Sequence, residues 1–232
     1  MLPKEEAMAL INTPESQAVA DEVADKAITL VKDRQKDIFP VTPERYKRIL
    51  IVDVEGHKGG FGAMIAGDKK RASDTMKALL EKRGHDVTVW ESTEEKIMQL
   101  PKEEQGAAIA NVYAQKQPIS NLTDNYDLIL NLVDVNSGGT VQRIVWPAAK
   151  GTPDQPFYVH EVPTIVVSIQ HAFALADMPQ VGTYINAYDG MDNTLEALAA
   201  KLAGESEFTG VSPVDAMVSE LLDTSIWRES TY

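Results

Sequence analysis

Residues 49–54 read ILIVDV, and this stretch constrains the fold more than any other. A strand with one wet face alternates apolar and polar residues. A strand that is apolar at nearly every position has to be covered on both faces, as in the centre of a parallel sheet. The rest of the chain supplies the covering elements in alternation. Residues 68–84 carry Met76, Leu79 and Leu80 at helical spacing and stop at Gly84, and DVTVWE (86–91) alternates like a second strand. Ser92-Thr93-Glu94-Glu95 is a capping pattern that opens helical segments reaching about residue 115. YDLILNLVDV (126–135), VPTIVVSI (162–169) and TYINAY (183–188) read as three further strands. Residues 191–204 place Met191, Leu195, Leu198, Ala199 and Leu202 on one helical face and end at Gly204. Ahead of all this, Thr13-Pro14-Glu15 starts a helix expected over 14–33, with Val19, Val23, Ala27, Ile28 and Val31 at helical spacing. FPVTPER then reads as an extended connection, and PVDAMVSELLDTSIW closes the chain with a second amphipathic pattern. Strands alternating with helices imply parallel pairing with helices on both faces. The expected fold class is α/β: a doubly wound three-layer αβα sandwich, flavodoxin-like, with a mostly parallel sheet of about five or six strands. The strand–helix units are too few for an eightfold barrel.

The formal charge of −13 on 232 residues repels phosphate backbones and anionic lipid heads, so neither nucleic acid nor membrane is an expected partner. The absence of cysteine removes disulfides, thiolate nucleophiles and Cys-based zinc sites. No apolar run is long enough to span a bilayer, the first residues lack a basic-then-apolar leader pattern, and no compartment is assigned.

The strand at 49–54 runs into a glycine-rich stretch, the usual place for a phosphate loop. Gly62 and Gly67 have the right spacing, but Asp68 stands where such a loop needs lysine, and no Ser or Thr follows Lys69. Gly60-x-Gly62 lacks the third small residue of a dinucleotide loop, since position 65 is Ile65. Asp53 and Glu55 end the same strand, and a strand-end acid is more often a loop or helix-cap partner than a phosphoryl acceptor. No cofactor is therefore expected. Asp134 and Asn136 end the third strand, Ser168, Gln170 and His171 end the fourth, and with His57 they form a polar rim around one cleft. His57, Asp134, Asn136, Ser168 and His171 are the candidate rim residues; ordinary turn chemistry also accounts for each. His57 and His171 would bind metal only with a third donor, and no metal site is assigned. No nucleophile elbow or H-E-x-x-H occurs, and no pair of acids stands out, so no catalytic residue is assigned.

Several stretches do carry a resemblance. ADKAITLVKD (24–33), FPVTPE, KRILIV, TVQRIVW (140–146), EVPTIVVSI (161–169), DMPQVGTYINAY (177–188) and FTGVSPVDA (208–216) appear in an order that resembles the C-terminal α/β domain of glycoside hydrolase family 3. The likeness covers roughly residues 16–216 and is nearest the two-domain bacterial β-N-acetylglucosaminidases. It implies a partner domain, an N-terminal (β/α)8 barrel that holds the Asp nucleophile and the His–Asp acid/base pair. The K-H-F-P-G stretch of that barrel is absent here. The implied organisation is a lead-in helix and linker over 1–47, the sandwich over 48–212 and a helical extension over 213–232. The implied function is an accessory domain beside a cleft that takes an N-acetylglucosamine-containing glycan, inactive alone. The residues leave two alternatives open: a stand-alone flavodoxin-like small-molecule or anion-binding module using loops 55–67 and 134–140, and an interaction domain using the C-terminal amphipathic segment.

Overall fold

A computed structural model describes residues 13–35, 37–55, 71–114, 118–135 and 155–216, with the single positions 3, 11, 144, 146 and 153. In chain order the elements are α1 (Pro14–Ala27), β1 (Thr29–Asp33), β2 (Arg48–Glu55), α2 (Ala72–Lys82), β3 (Asp86–Val89), α3 (Thr93–Met98), α4 (Lys102–Ala114) and α5 (Ser120–Thr123). β4 (Leu128–Asp134), β5 (Thr164–Ser168), a 3-10 turn (Ala174–Asp177), β6 (Thr183–Asn186) and α6 (Asp192–Leu202) complete the domain.

The six-stranded sheet runs in the order β1-β6-β5-β4-β2-β3. All neighbours pair in parallel except β1, which runs antiparallel to β6 at the edge. Counting the parallel strands alone from the amino end, their order is 2-1-3-4-5, the flavodoxin-like winding expected from the sequence. Ile49, Leu50, Ile51 and Val52 in β2 are all fully buried. Their odd and even members enter separate cores. On one face Ile49 and Ile51 meet Met76 and Leu80 of α2 and Leu195, Leu198 and Leu202 of α6. On the other, Leu50 and Val52 meet Leu122, Tyr158, Val159, Leu175 and Met178, so short helices and turns form that layer. Each fully buried aliphatic side chain contributes about 1.5–3 kcal/mol, so β2 and β4, with five buried aliphatic residues each, are the most expensive strands to expose.

Two readings change. Helix α1 starts as expected, with Pro14 in the first turn and the Ser16 amide donating to Thr13 Oγ1 at 3.2 Å. It ends at Ala27, however, and residues 29–33 form β1 rather than a helical tail. The run Ile28-Thr29-Leu30-Val31 is rich in β-branched side chains, which favour a pleated surface, and β6 offers a free edge to receive it. The helix buries only Ala24, and Val19 and Val23 face solvent. Met191, expected inside, occupies the N-cap position of α6 and is exposed. The amphipathic segment at 217–232 lies outside the described residues.

Both glycine stops do hold. Gly84 (φ +98) and Gly204 (φ +76) follow the ends of α2 and α6. At the first, the His85 amide donates to Leu80 O and the Gly84 amide to Glu81 O. At the second, the Glu205 and Gly204 amides donate to Ala200 O and Lys201 O. Each is the paired 6→1 and 5→2 closure that a left-handed residue makes possible. Arg83 joins the two helix ends through a bidentate pair with Glu205, at 3.0 and 2.9 Å.

Lys32 on the edge strand is buried, with Nζ donating to Pro179 O at 2.9 Å. Burial, and then the nearby charge of Arg34, push its pKa down from 10.5 to about 8. Between those values the unfolded chain holds a proton that the folded chain has released, so stability rises as pH climbs from about 8 to 10.5. Lys32→Met should abolish that rise in a series of denaturant melts across this range. Gly204→Ala forces a side chain into the left-handed region and puts its Cβ 3.0 Å from Pro40 Cβ. A loss of about 1–2 kcal/mol is expected in the same urea titration.

Candidate functional site

Register sets what meets at the carboxyl edge of the sheet. Glu55 pairs with Asp134, Val133 with Ser168, and Ser168 with Asn186, so the ends of β2, β4, β5 and β6 lie level. The strand order reverses between β2 and β4, and ligands of doubly wound sheets bind at that crevice.

Asp53 stands one turn of the pleat inside the crevice. Its Oδ2 accepts a hydrogen bond from Ser73 Oγ at 2.6 Å, in the first turn of α2, and Arg71 Nη1 lies 4.0 Å away. Burial pushes its carboxyl up in pKa; the Ser73 bond and Arg71 act against that, and the charges of Asp74 and Asp134 add to it. This is the helix partner expected of a strand-end acid. Ser73 and Arg71 carry no signal in the sequence that would join them to Asp53, because the contact crosses the loop between β2 and α2.

Asp134 is exposed at the end of β4, where Oδ1 accepts from Gln170 Nε2 at 2.8 Å. Ser168 is buried and donates its hydroxyl to the carbonyl of His171 at 2.7 Å. The His171 ring accepts from the Phe173 amide through Nδ1 at 3.0 Å, and its centroid lies 6.1 Å from the Phe173 ring. With Nδ1 as acceptor the ring proton sits on Nε2, which is buried without a partner among the described residues. Asp134, Ser168, Gln170 and His171 therefore do gather at the ends of β4 and β5. His57 and Asn136 lie outside the described residues, as do most of loops 55–67 and 134–140.

The sequence reading missed Asn186. It is 1% exposed, and neither end of its amide has a hydrogen-bond partner among the described residues. It faces Ser168 on one side and Thr29 on the other. Its signal was a polar residue within an apolar strand, in TYINAY. Next to it, Tyr188 adopts φ +70 and donates its hydroxyl to Thr29 Oγ1 at 3.2 Å. Beyond β1 an open groove of about 660 Å³ runs between Thr29–Val31 and Gly210–Asp215. It lies at the edge of the sheet, three strands from β4.

Chemically this rim combines engaged groups with two unpartnered ones, His171 Nε2 and the Asn186 amide, among the described residues. The acids Asp53 and Asp134 each have a partner, and Ser168 gives its proton inward. Among the described residues no cluster of three His, Asp or Glu side chains is arranged to hold a metal ion.

No family model matches the chain. A β-N-acetylglucosaminidase/β-glucosidase from Cellulomonas fimi is 35% identical over 221 residues, which is 94% of this chain and 36% of that protein. Among solved structures, the β-glucoside phosphorylase BglX superposes with a TM-score of 0.69 at 32% identity, over 92% of this chain and 34% of its own. A glycoside hydrolase family 3 β-N-acetylglucosaminidase from Paenibacillus shares the fold, with a TM-score of 0.53 at 22% identity over 90% of this chain. The chain thus spans about a third of the length of these relatives.

The Asp53 environment has a measurable consequence. Because its folded pKa is raised, the unfolded chain loses this proton first, and stability falls as pH rises out of the ordinary carboxylate range. Asp53→Asn keeps an oxygen for Ser73 and removes the charge. Thermal melts should show the variant gaining on the original chain from pH 4 to 7, with the two converging below pH 4. A gain by the original chain over that interval would contradict the burial argument.

Proposed function

The chain belongs to glycoside hydrolase family 3, and from that premise we propose that it is the C-terminal accessory domain of a β-N-acetylglucosaminidase-like enzyme whose catalytic groups sit on a companion barrel. Its carboxyl edge flanks the cleft of that barrel. Asp134 and His171 line the flank and meet sugar hydroxyls, with the buried Ser168 holding the His171 backbone behind them; His57 and Asn136 are the further candidates for such contacts. The observation that carries this reading is the match itself: 94% of this chain aligns with only 36% of a protein named for glycosidase activity. The engaged state of the described acids supports it. A retaining glycosidase needs two carboxyls about 5–5.5 Å apart on either side of one bond, and an inverting one needs about 6.5–9.5 Å. Asp53 is held by Ser73 at a helix start, and Asp134 is held by Gln170.

A second reading of the substrate has its own support. The BglX structure, 32% identical, is named a β-glucoside phosphorylase. The companion site would then take a β-glucoside and use phosphate in place of water.

Aryl β-N-acetylglucosaminide and aryl β-glucoside, each with and without inorganic phosphate, separate these outcomes. The chain alone is expected to release no aryl alcohol from either substrate. The longer polypeptide that carries the companion domain is expected to release it, and a requirement for phosphate would select the phosphorolytic reading. Steady turnover by the chain alone would overturn the accessory role.

A further inference from the structure

Helix α1 is oriented in an unusual way. An amphipathic helix on a soluble domain turns its apolar stripe inward. Here Val19 and Val23 are each 60% exposed, Ile11 just ahead of the helix is equally open, and the buried contact is Ala24, on the flank beside Ala20. Residues 16, 19, 20 and 23 share one helical face and are all exposed, so the outward stripe reads Ser16, Val19, Ala20 and Val23, with the half-buried Ala27 at its end.

The orientation is held firmly. Asp25 Oδ1 meets Lys201 Nζ at 2.9 Å, and the Lys201 side chain has no exposed surface. The same ammonium donates to Ser206 Oγ at 3.0 Å and to Glu207 O at 2.6 Å, while Ser206 Oγ donates to Asp25 at 2.7 Å. A fully buried ammonium with three acceptors cannot give one up cheaply, because the remaining charge would be stranded. The stripe is therefore fixed outward.

We infer that the outward stripe of α1, centred on Val19 and Val23, is the surface on which the companion domain of the same polypeptide seats. Area selects a tethered occupant. A helix of this length is about 21 Å long and presents a strip about 10 Å wide, or roughly 200 Å². A free partner needs about 800 Å² per side, whereas a covalently joined domain sits at millimolar effective concentration and needs far less. Glu15, Glu22 and Lys26 line one margin of the stripe, with Lys26 paired to Glu22, so it is area rather than charge that selects the occupant. The relatives supply the occupant: proteins 35% and 32% identical over nearly all of this chain carry about two thirds of their length beyond it. This inference rests on the accessory-domain reading and adds its contact surface.

Hydrogen exchange of residues 14–27, in this chain and in the longer polypeptide, tests it. Amides on α1 should exchange at least tenfold more slowly in the longer polypeptide. Val19→Asp/Val23→Asp should cancel that protection there while leaving the melting temperature of this chain unchanged, since the side chains it replaces are exposed. Protection that appears only at the carboxyl edge of the sheet, or that survives the double variant, would overturn the surface and leave the accessory reading standing. No difference in exchange anywhere on the domain would sink both. A concentration-dependent mass of this chain, abolished by the double variant, would make the occupant a second copy and overturn the assignment.

Discussion

Burial of β2, β4 and β5 on both faces is the constraint from which the remaining structure follows. Ile49 to Val52, Leu128 to Leu130 and Ile165 to Val167 have almost no exposed surface. A sheet of this kind has no free face on which a ligand could rest. Its accessible chemistry lies at the strand ends, and at the carboxyl end the parallel register brings four strands level. The polar residues Asp134, Ser168 and Asn186 gather there because the apolar run of each strand stops at the same height.

The amino edge and the far edge show how the same sheet is finished. At the amino edge Asp127 accepts from the Arg48 amide at 2.8 Å and from Arg48 Nη2 at 2.7 Å, and that guanidinium holds the carboxyl below its usual pKa. At the far edge β1 closes the sheet in the antiparallel sense. Several stretches that carried the family resemblance meet at this junction. Asp25 and Lys32 come from ADKAITLVKD, Pro179 and Gly182 from DMPQVGTYINAY, and Gly210 from FTGVSPVDA. Lys32 donates to Pro179, and the Arg34 amide donates to Gly182 O. A Cβ on Gly210 would lie 2.6 Å from both Ala27 O and Ile28 O, so only glycine lets the chain cross the end of α1. The order of those motifs in sequence reflects one structural joint.

What the sequence disclosed and what it withheld divide along a physical line. Apolar runs identified β2, β4 and β5 because two-sided burial leaves no alternation to misread. Gly84 and Gly204 marked helix ends because a left-handed residue is a local need, satisfied by one residue type. The family, and with it the flavodoxin-like winding, was legible from the ordered motifs. The strand at 29–33 was not, because Val31 continues a helical spacing that begins at Val19, and only the free edge of β6 decides between helix and strand. Val19 and Val23 were placed on one apolar face by periodicity, which shows that a face is apolar without showing what covers it. The rim was partly legible: Asp134, Ser168 and His171 do converge, but Asn186 was read as part of an apolar strand, and the link from Asp53 to Ser73 depends on packing across a loop.

That division bears on why a domain of this type would borrow its chemistry. A group that must exchange protons with a substrate needs an unsatisfied position aimed at it, and it gains from a pKa near the working pH. Three groups near the described rim are organised differently, while His171 Nε2 and the Asn186 amide stay unpartnered among the described residues. Ser168 is committed to a backbone carbonyl, His171 is fixed by the Phe173 amide, and Asp53 is turned toward a helix start where burial favours its neutral form. Such groups are stiff because each is held by another, and stiffness suits a wall that orients a ligand more than a base that moves a proton. Under the proposed function the two halves divide the work accordingly. The sandwich supplies a rigid polar margin whose shape is set by sheet register, and the companion domain supplies the carboxylate and the acid/base pair. A wall can orient a ligand only if it is held still against the other half. An anchored helix with an outward apolar stripe, tied to the core through Lys201 and Asp25, is the kind of part that holds it.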